Sequence, residues 1–205
     1  MSIAHQISAV GNEGVEFVAG ADLPSRFGNF RIHGFRGRLG EEMLAIVHGD
    51  VAGADEVLVR LHSQCVTGDA LGSLRCDCRE QLEAGLSAVA ESGVGVVLYL
   101  PQEGRGIGLL NKIRAYALQD SGLDTVEANH ALGFPDDLRS YELAGEVLVE
   151  LGVESVRLLT NNPKKRDGLL AAGIRVVGVE PLCIPANEHN AFYLDTKRTK
   201  SGHLL

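Results

Sequence analysis

The sequence has little of several features that would point to particular classes of protein. Its 27 acidic residues outnumber its 19 basic ones, and a formal net charge of −8 argues against broad, non-specific nucleic-acid binding. Its longest apolar runs, such as residues 94–100, are far too short to span a bilayer. The first residues show no basic start followed by an apolar run, so no signal peptide is predicted. We therefore expect a soluble, cytoplasmic protein with neither nucleic acid nor membrane among its partners.

Cysteine is also scarce, with four residues in 205. In a reducing compartment these four do not favour a disulfide framework. Cys65, Cys76 and Cys78 fall within fourteen residues, whereas Cys183 stands apart and is expected only to pack. The clustering of three cysteines suggests a metal site or catalysis.

The hydrophobic pattern predicts strands that alternate with helices. The predicted strands cover residues 43–49, 57–62, 94–100, 155–160 and 174–179. The predicted helices cover residues 78–91, 109–119, 137–151 and 163–172, with a further polar helix in the tail and mostly loop over 121–136. This order favours a single α/β domain of three layers, in which helices flank a mixed sheet. Residues 1–20 are weakly patterned and are assigned to an N-terminal extension, and residues 21–205 to the α/β domain.

The segment 60–78, RLHSQCVTGDALGSLRCDC, carries the strongest chemical pattern. Thiolate sulfur suits zinc, and Cys76 and Cys78 would point the same way from an extended backbone while Cys65 approaches from the other side of the loop. Three protein ligands leave a fourth position open, as in catalytic zinc sites, where a bound water has a pKa near 7. The spacing also allows a structural zinc site completed by a residue such as His62, or simply buried cysteines.

Positive charge gathers near glycine-rich turns and helix starts. In TNNPKK, at 160–165, Asn162 is placed as the N-cap of a helix with Pro163 at its first position. The N–H groups and lysines there would favour phosphate, although paired lysines are more often solvated surface residues. Several of eleven cations lie beside such turns or helix starts, the eleven being Arg60, Arg75, Arg79, Arg105, Lys112, Arg114, Arg139, Arg157, Lys164, Lys165 and Arg166.

Two further segments combine charge with turns. The loop EGRGIG, at 103–108, has the wrong spacing for a dinucleotide fingerprint, yet it lies between a buried strand and a helix start, where open α/β sheets bind ligands. Arg105 could fork onto phosphate or a purine edge, and Glu103 could accept N–H groups from a guanine-like base. Asp137 and Arg139 are either a helix-start acid with a surface arginine, or a carboxylate–guanidinium pair near a transferring phosphate.

Four segments in order resemble the GTP cyclohydrolase II family: RLHSQCVTGDALGSLRCDC, QEGRGIGLLNKIRAYALQDSGLDTVEANHALGF, RLLTNNPKK and YLDTKRTKSGHLL. The resemblance runs from about residue 24 to residue 205. It implies zinc-dependent hydrolysis of GTP at C8 of the guanine, with release of formate and pyrophosphate. The product would be 2,5-diamino-6-(5-phosphoribosylamino)pyrimidin-4(3H)-one, at the first step of riboflavin biosynthesis. The resemblance also implies Mg²⁺ with the triphosphate and a homodimer.

The resemblance carries over to particular residues. Arg139 matches a nucleophile toward the α-phosphorus with Asp137 as its proton acceptor, although a protonated guanidinium is better suited to stabilising charge. Tyr116 matches a tyrosine beside the reacting base, where its phenol could transfer a proton. The zinc ligands would be Cys65, Cys76 and Cys78. The positions matching GTP contacts are Arg60, Leu61, His62, Ser63, Gln64, Gln81, Glu103, Gly104, Arg105, Thr125, Thr160 and Lys165.

Two departures from the family pattern bear on the reaction. Gln64 stands where the motif usually has glutamate, and a neutral amide cannot serve as a base. The sequence shows no fused dihydroxybutanone-phosphate synthase, so we expect the single cyclohydrolase step. Two alternatives stay open: a paralogue whose reaction is altered or stops at a formamide, and a non-catalytic module that binds zinc and GTP.

Overall fold

A mixed seven-stranded sheet forms the centre of the protein, in the strand order β1-β2-β3-β5-β4-β6-β7. The computed structural model describes residues 14–200, apart from four side chains in the last helix. The pairs β1–β2, β2–β3 and β3–β5 are antiparallel, and the pairs β5–β4, β4–β6 and β6–β7 are parallel. The strands are β1 (Glu16–Ser25), β2 (Gly28–Arg36), β3 (Glu42–His48), β4 (Val57–Ser63), β5 (Gly95–Leu100), β6 (Val156–Leu159) and β7 (Val176–Glu180).

Helices lie on both faces of this sheet, and most of them fill the connections between the parallel strands. A short 3-10 helix (Glu103–Gly106) follows β5. The α-helices are α1 (Val66–Asp69), α2 (Cys78–Glu91), α3 (Leu109–Asp120), α4 (Thr125–Ala131), α5 (Glu142–Glu150), α6 (Pro163–Ala171) and α7 (Ala191–Lys200).

Strand β4 shows how the three layers are held together. Val57, Val59 and Leu61 belong to a large apolar cluster that includes residues of α5 and α6. Leu58 points to the opposite face, where a second cluster includes Val89 of α2. Side chains alternate along a strand, so one strand supplies both cores. The predicted α/β domain with a mixed sheet between helices is confirmed.

Most predicted elements appear close to their expected positions, and α2 coincides with its prediction. The prediction of mostly loop over 121–136 holds for nine of these sixteen residues but misses α4, which has seven residues. The side chain of Asp124 accepts hydrogen bonds from the N–H groups of Val126 and Glu127, and the Glu127 carboxylate accepts one from the N–H of Asp124. This capping box stabilises the start of a short helix. The glycine and proline residues nearby had favoured a loop in the sequence-based prediction.

Three other expectations are affected by the structure. The helix predicted from residue 137 begins at Glu142, five residues later. Strand β1 begins at Glu16, so residues 16–20 of the weakly patterned segment pair with β2, whereas residues 1–13 lie outside the described part of the chain. Cys183, expected to pack, is exposed. Within residues 14–200 no helix combines the length and apolar character needed to cross a membrane.

Candidate active site

The candidate site is a cleft, open to solvent, at the carboxyl ends of the central strands. Its wall includes Ser63 and Gln64 at the end of β4, and the 3-10 helix that follows β5. Arg60 and His62 lie on the same face of β4 as Leu58, the face toward α2, and continue that face into the cleft. Open α/β sheets commonly bind ligands at this edge.

Three cysteine sulfurs form a compact group in this cleft. The Sγ atoms of Cys65, Cys76 and Cys78 all lie within 4.8 Å of one another, and those of Cys65 and Cys76 are 3.7 Å apart. Tetrahedral zinc with Zn–S bonds of about 2.3 Å needs sulfurs about 3.8 Å apart. A Cβ atom on Gly68 would come within 2.8 Å of the Cys76 sulfur, so the glycine leaves the space beside the sulfurs free. Spacing and donor chemistry therefore fit zinc.

The backbone that presents the sulfurs differs from the expected extended segment. Cys78 is the first residue of α2, and Asp77 before it has φ −106° and ψ 18°. Cys76 thus lies in a turn just before the helix. This turn, and not the alternation of side chains along an extended strand, places its sulfur next to the other two. Hydrogen bonds from Cys76, Cys78 and Lys112 lower the pKa of Cys65, and the bond to Cys65 raises the pKa of Cys76 to about 11.

Asp69, at the end of α1, holds the loop around Cys65. One carboxylate oxygen accepts hydrogen bonds from the backbone N–H of Cys65 at 2.9 Å and from the Tyr99 hydroxyl at 2.8 Å. The Nε2 atom of His62 lies 3.1 Å from the other oxygen, and burial lowers the pKa of this histidine. His62 therefore faces Asp69, and among the described residues the ligand group contains only the three cysteines. The structural zinc site completed by His62 is not formed.

Glu103 and Lys112 form a buried ion pair against the same loop. The Glu103 carboxylate accepts hydrogen bonds from Lys112 Nζ at 2.7 Å, from the Val66 N–H at 2.7 Å and from its own neighbour Gly104. Lys112 Nζ also lies 3.0 Å from the Cys65 sulfur. Burial alone would lower the pKa of Lys112, but the bonds to Cys65 and Glu103 raise it, so the side chain stays an ammonium. Three of the hydrogen bonds that Glu103 can accept are thus made within the protein.

One face of α3 lines the cleft, with residues at positions i, i+3, i+4 and i+7: Lys112, Ala115, Tyr116 and Gln119. The sequence suggested a catalytic role for Tyr116 and placed Lys112 among the clustered cations, whereas Ala115 and Gln119 could have been found only from this helical spacing. The Tyr116 hydroxyl lies 3.3 Å from Thr67 Oγ1, and the guanidinium of Arg75 lies 4.8 Å from the centre of its ring. Burial raises the pKa of Tyr116, which keeps the phenol protonated.

Arg60 is buried beneath the cleft and held by neutral acceptors. Its guanidinium donates to the Leu159 carbonyl at 3.0 Å and to the side-chain oxygen of Gln81. Gln81 in turn donates to Asp77, so a chain of hydrogen bonds leads from β4 to the cysteine turn. Burial lowers the pKa of Arg60 to about 10, which still leaves it charged at neutral pH.

Asp137 and Arg139 form a two-point ion pair beside the cleft. Arg139 Nε and Nη2 donate to the two carboxylate oxygens at 2.8 and 2.9 Å, and the Arg139 backbone N–H donates to the same group. Burial alone would lower the pKa of Arg139, but Asp137 raises it above its ordinary value. Since both side chains are largely buried and precede α5, the interpretation as a helix-start acid with a surface arginine is wrong.

The TNNPKK turn separates its two lysines. Asn162 caps α6 by accepting the Lys164 N–H at 3.0 Å, as predicted. Lys164 is 60% exposed, which matches the solvated alternative. Lys165 is buried, lines the cleft and donates to the Leu61 carbonyl at 2.7 Å. Thr160 accepts the Asn162 N–H and does not line the cleft.

The structure brings most of the predicted site residues together. Leu61, Thr160 and Asp137 do not line the cleft, although Leu61 and Asp137 contact the lining residues Lys165 and Arg139. The predicted residues that line it are Arg60, His62, Ser63, Gln64, Cys65, Cys76, Cys78, Gln81, Glu103, Gly104, Arg105, Tyr116, Thr125, Arg139 and Lys165.

The chain is similar to known proteins over most of its length. The chain is 58% identical over 189 residues to GTP cyclohydrolase-2 of Klebsiella pneumoniae subsp. pneumoniae, which covers 92% of this chain and 94% of that protein. It is 54% identical to the riboflavin biosynthesis protein RibBA of Synechocystis over 90% of this chain, but spans only 34% of that longer protein.

A solved structure of RibBX, a two-domain 3,4-dihydroxy-2-butanone 4-phosphate synthase from A. baumannii, superposes with a TM-score of 0.49 at 19% identity. It covers 85% of this chain and 42% of that one, and so weak a match identifies neither fold nor function. The model of the GTP cyclohydrolase II family matches residues 16–181. The chain therefore belongs to the GTP cyclohydrolase II family of enzymes.

Proposed function

We propose that the protein hydrolyses GTP at C8 of the guanine and releases formate and pyrophosphate. The product would be 2,5-diamino-6-(5-phosphoribosylamino)pyrimidin-4(3H)-one, the product of the first step of riboflavin biosynthesis. The observation that carries the proposal is that three clustered cysteine sulfurs and the Arg139 guanidinium line one cleft. A soft-metal site and a fixed cation in one cleft suit a ligand with a reacting base and a phosphate chain.

Zinc would be held by Cys65, Cys76 and Cys78, whose spacing fits it. Three protein ligands are typical of catalytic zinc, and the bound ion supplies an activated water near neutral pH. Two features of the chain prepare this site. Asp69 fixes the backbone at Cys65, and Gly68 keeps side-chain atoms away from the sulfurs.

Tyr116 would act on the guanine during ring opening. Its phenol is buried and protonated, and Thr67 holds its oxygen from one side. A protonated phenol at this place can donate its proton to a departing ring nitrogen of the imidazole ring. Arg75 covers the face of the Tyr116 ring and restricts how far the phenol can swing.

Arg139 would stabilise the charge that develops on the α-phosphate. Asp137 fixes the guanidinium through two hydrogen bonds and keeps it protonated, so it is better suited to binding negative charge than to acting as a nucleophile. Lys165 and Arg105 line the same cleft and would bind the remaining phosphates together with Mg²⁺.

A second candidate reaction rests on Gln64. Its side chain lines the cleft beside Cys65, where the family motif usually has a carboxylate. An amide can hydrogen-bond the base but cannot remove a proton. If the lost carboxylate served the release of formate, the reaction would stop at a formamide.

A timed incubation of the zinc-loaded protein with GTP and Mg²⁺ tests both candidates, with formate and pyrophosphate measured separately. Equal release of both products supports the full reaction and makes Gln64 a tolerated replacement. Pyrophosphate without formate supports the formamide alternative. Release of neither product from protein that holds zinc contradicts the proposal.

The resemblance also supports three proposals on assembly, location and domain organisation. We infer a homodimer, a cytoplasmic location and a catalytic domain that covers residues 21–205 and extends to the start of β1 at Glu16. Sedimentation of the purified protein tests the first, and limited proteolysis with mass measurement tests the third.

A further inference from the structure

Lys112 occupies an unusual place for a lysine, because its ammonium is buried between two acidic groups. Its Nζ lies 2.7 Å from Glu103 and 3.0 Å from the sulfur of Cys65. It comes from α3, far along the chain from the cysteine loop. Lysine is almost never fully buried unless it is paired, so its position requires both partners.

The ion pair also reaches the backbone next to the ligand. Glu103 accepts the Val66 N–H at 2.7 Å while it holds Lys112. The sulfur of Cys65 and the peptide that follows it are therefore fixed by the same two side chains. A shift of α3 or of the 3-10 helix would move both together.

We propose that Lys112 is a positioning residue that holds the Cys65 sulfur in the place where it would bind zinc. The inference rests on the proposed zinc site. An N–H group directed at a thiolate stabilises the anionic form that a metal requires, and it limits where the sulfur can lie. Hydrogen-bonding partners behind metal ligands typically contribute 10- to 100-fold to metal affinity or activity.

The competing explanation is that Lys112 serves only as the buried partner of Glu103. Lys112→Met alone cannot separate the two, because it leaves the Glu103 carboxylate buried without its cation. Glu103→Gln removes that carboxylate and keeps the lysine beside the sulfur. Adding Lys112→Met to Glu103→Gln then removes the contact with Cys65 without leaving an unpaired buried charge from this pair.

The measurement is zinc affinity of the purified protein, by competition with a chromophoric chelator, together with the absorption spectrum after cobalt replacement. We expect the double variant to bind zinc 10- to 100-fold more weakly than Glu103→Gln. Its sulfur-to-cobalt charge-transfer band should move to longer wavelength, because a sulfur without the N–H donor releases its electrons more easily. Arg114→Met removes an exposed cation from the same helix and should change neither result.

Rescue gives a second, independent test. Lys112→Arg in the Glu103→Gln background restores a charged N–H donor and should recover affinity relative to methionine. If the methionine variant does not fold, the arginine variant is compared with Glu103→Gln, whose zinc affinity it should match. Arginine that binds zinc no better than methionine, or a double variant equal to Glu103→Gln with an unchanged cobalt band, overturns the inference and leaves the proposed function intact. A native protein that holds no zinc overturns both.

Discussion

Two sides of the cleft are built differently. On the cysteine side, residues 65–78 with Glu103 and Lys112, the N–H groups of the loop donate to buried carboxylates of the protein itself. On the phosphate side, residues 137–139 and 160–165, cations line the cleft and Lys164 extends into solvent. The first side is organised around sulfur and the second around positive charge. Substitutions on the cysteine side should therefore affect zinc binding and formate release, and substitutions on the phosphate side should affect pyrophosphate release.

Loss of one sulfur should break the cysteine side most severely. Cys76→Ser replaces a thiolate with a hydroxyl, a poor zinc ligand, so we expect loss of zinc and of formate release together. Affinity for GTP should fall much less, because the phosphate side is unchanged. Metal content and formate can be measured on one preparation, and full formate release without zinc would contradict the proposed role of the metal.

The opposite outcome is expected on the phosphate side. Arg139→Ala removes the fixed guanidinium and should lower pyrophosphate release by about 100- to 1000-fold while zinc stays bound. Arg166, exposed and paired with its neighbour Asp167, offers a matched control, and Arg166→Ala should release pyrophosphate normally. Unchanged release from Arg139→Ala would exclude a catalytic role for that residue.

A smaller change tests whether zinc binding depends on the free space beside the sulfurs as well as on the sulfurs themselves. The Cβ of Gly68→Ala would lie 2.8 Å from the Cys76 sulfur and 3.2 Å from that of Cys65. We expect zinc affinity to fall about 10-fold or more, in the range seen for residues behind metal ligands. Gly20→Ala, whose nearest neighbours are at 3.6 Å, should bind zinc like the native protein.

The weakest effect concerns stability and pH. Burial lowers the pKa of His62 below its ordinary value of 6.5, so below that pH the unfolded chain binds a proton that the folded chain does not. Stability should therefore fall as pH drops from 6.5 toward the pKa of the folded state, by at most about 1.4 kcal/mol per pH unit. His62→Gln should flatten this part of a urea-denaturation series, and equal slopes would contradict the assignment.

The elements with a regular hydrophobic period were predictable, and those that depend on capping or on tertiary contacts were not. The 78–91 helix has its apolar residues at helical spacing and a glycine after its end. The sequence also contains the Asp124–Glu127 capping box, but nearby Gly122 and Pro135 favoured a loop. The early residues of the 137–151 prediction are not helical because the Asp137 carboxylate accepts the N–H and side-chain hydrogens of Arg139.

The chemistry of the site was visible in residue types, whereas its pairings were not. Cysteine spacing suggested a metal site, and the cations allowed a phosphate site, although solvated surface lysines were the more common alternative. The contacts of Asp69 and Lys112 with the cysteine loop join residues from separate elements, and no pattern along the chain encodes them. Glu103 shows the difference, since residue type suggested an acceptor for guanine and the structure shows an anchor for Val66 and Lys112.

The alternation along β4 limits how the protein can change over evolutionary time. Leu61 belongs to one apolar core while Arg60 and His62 line the cleft, so core and site occupy successive positions of one strand. Deleting a single residue within this strand would exchange the two sets and bury charge where the core requires leucine. New specificities in this protein can therefore arise here by substitution, whereas changes in length must be confined to the loops.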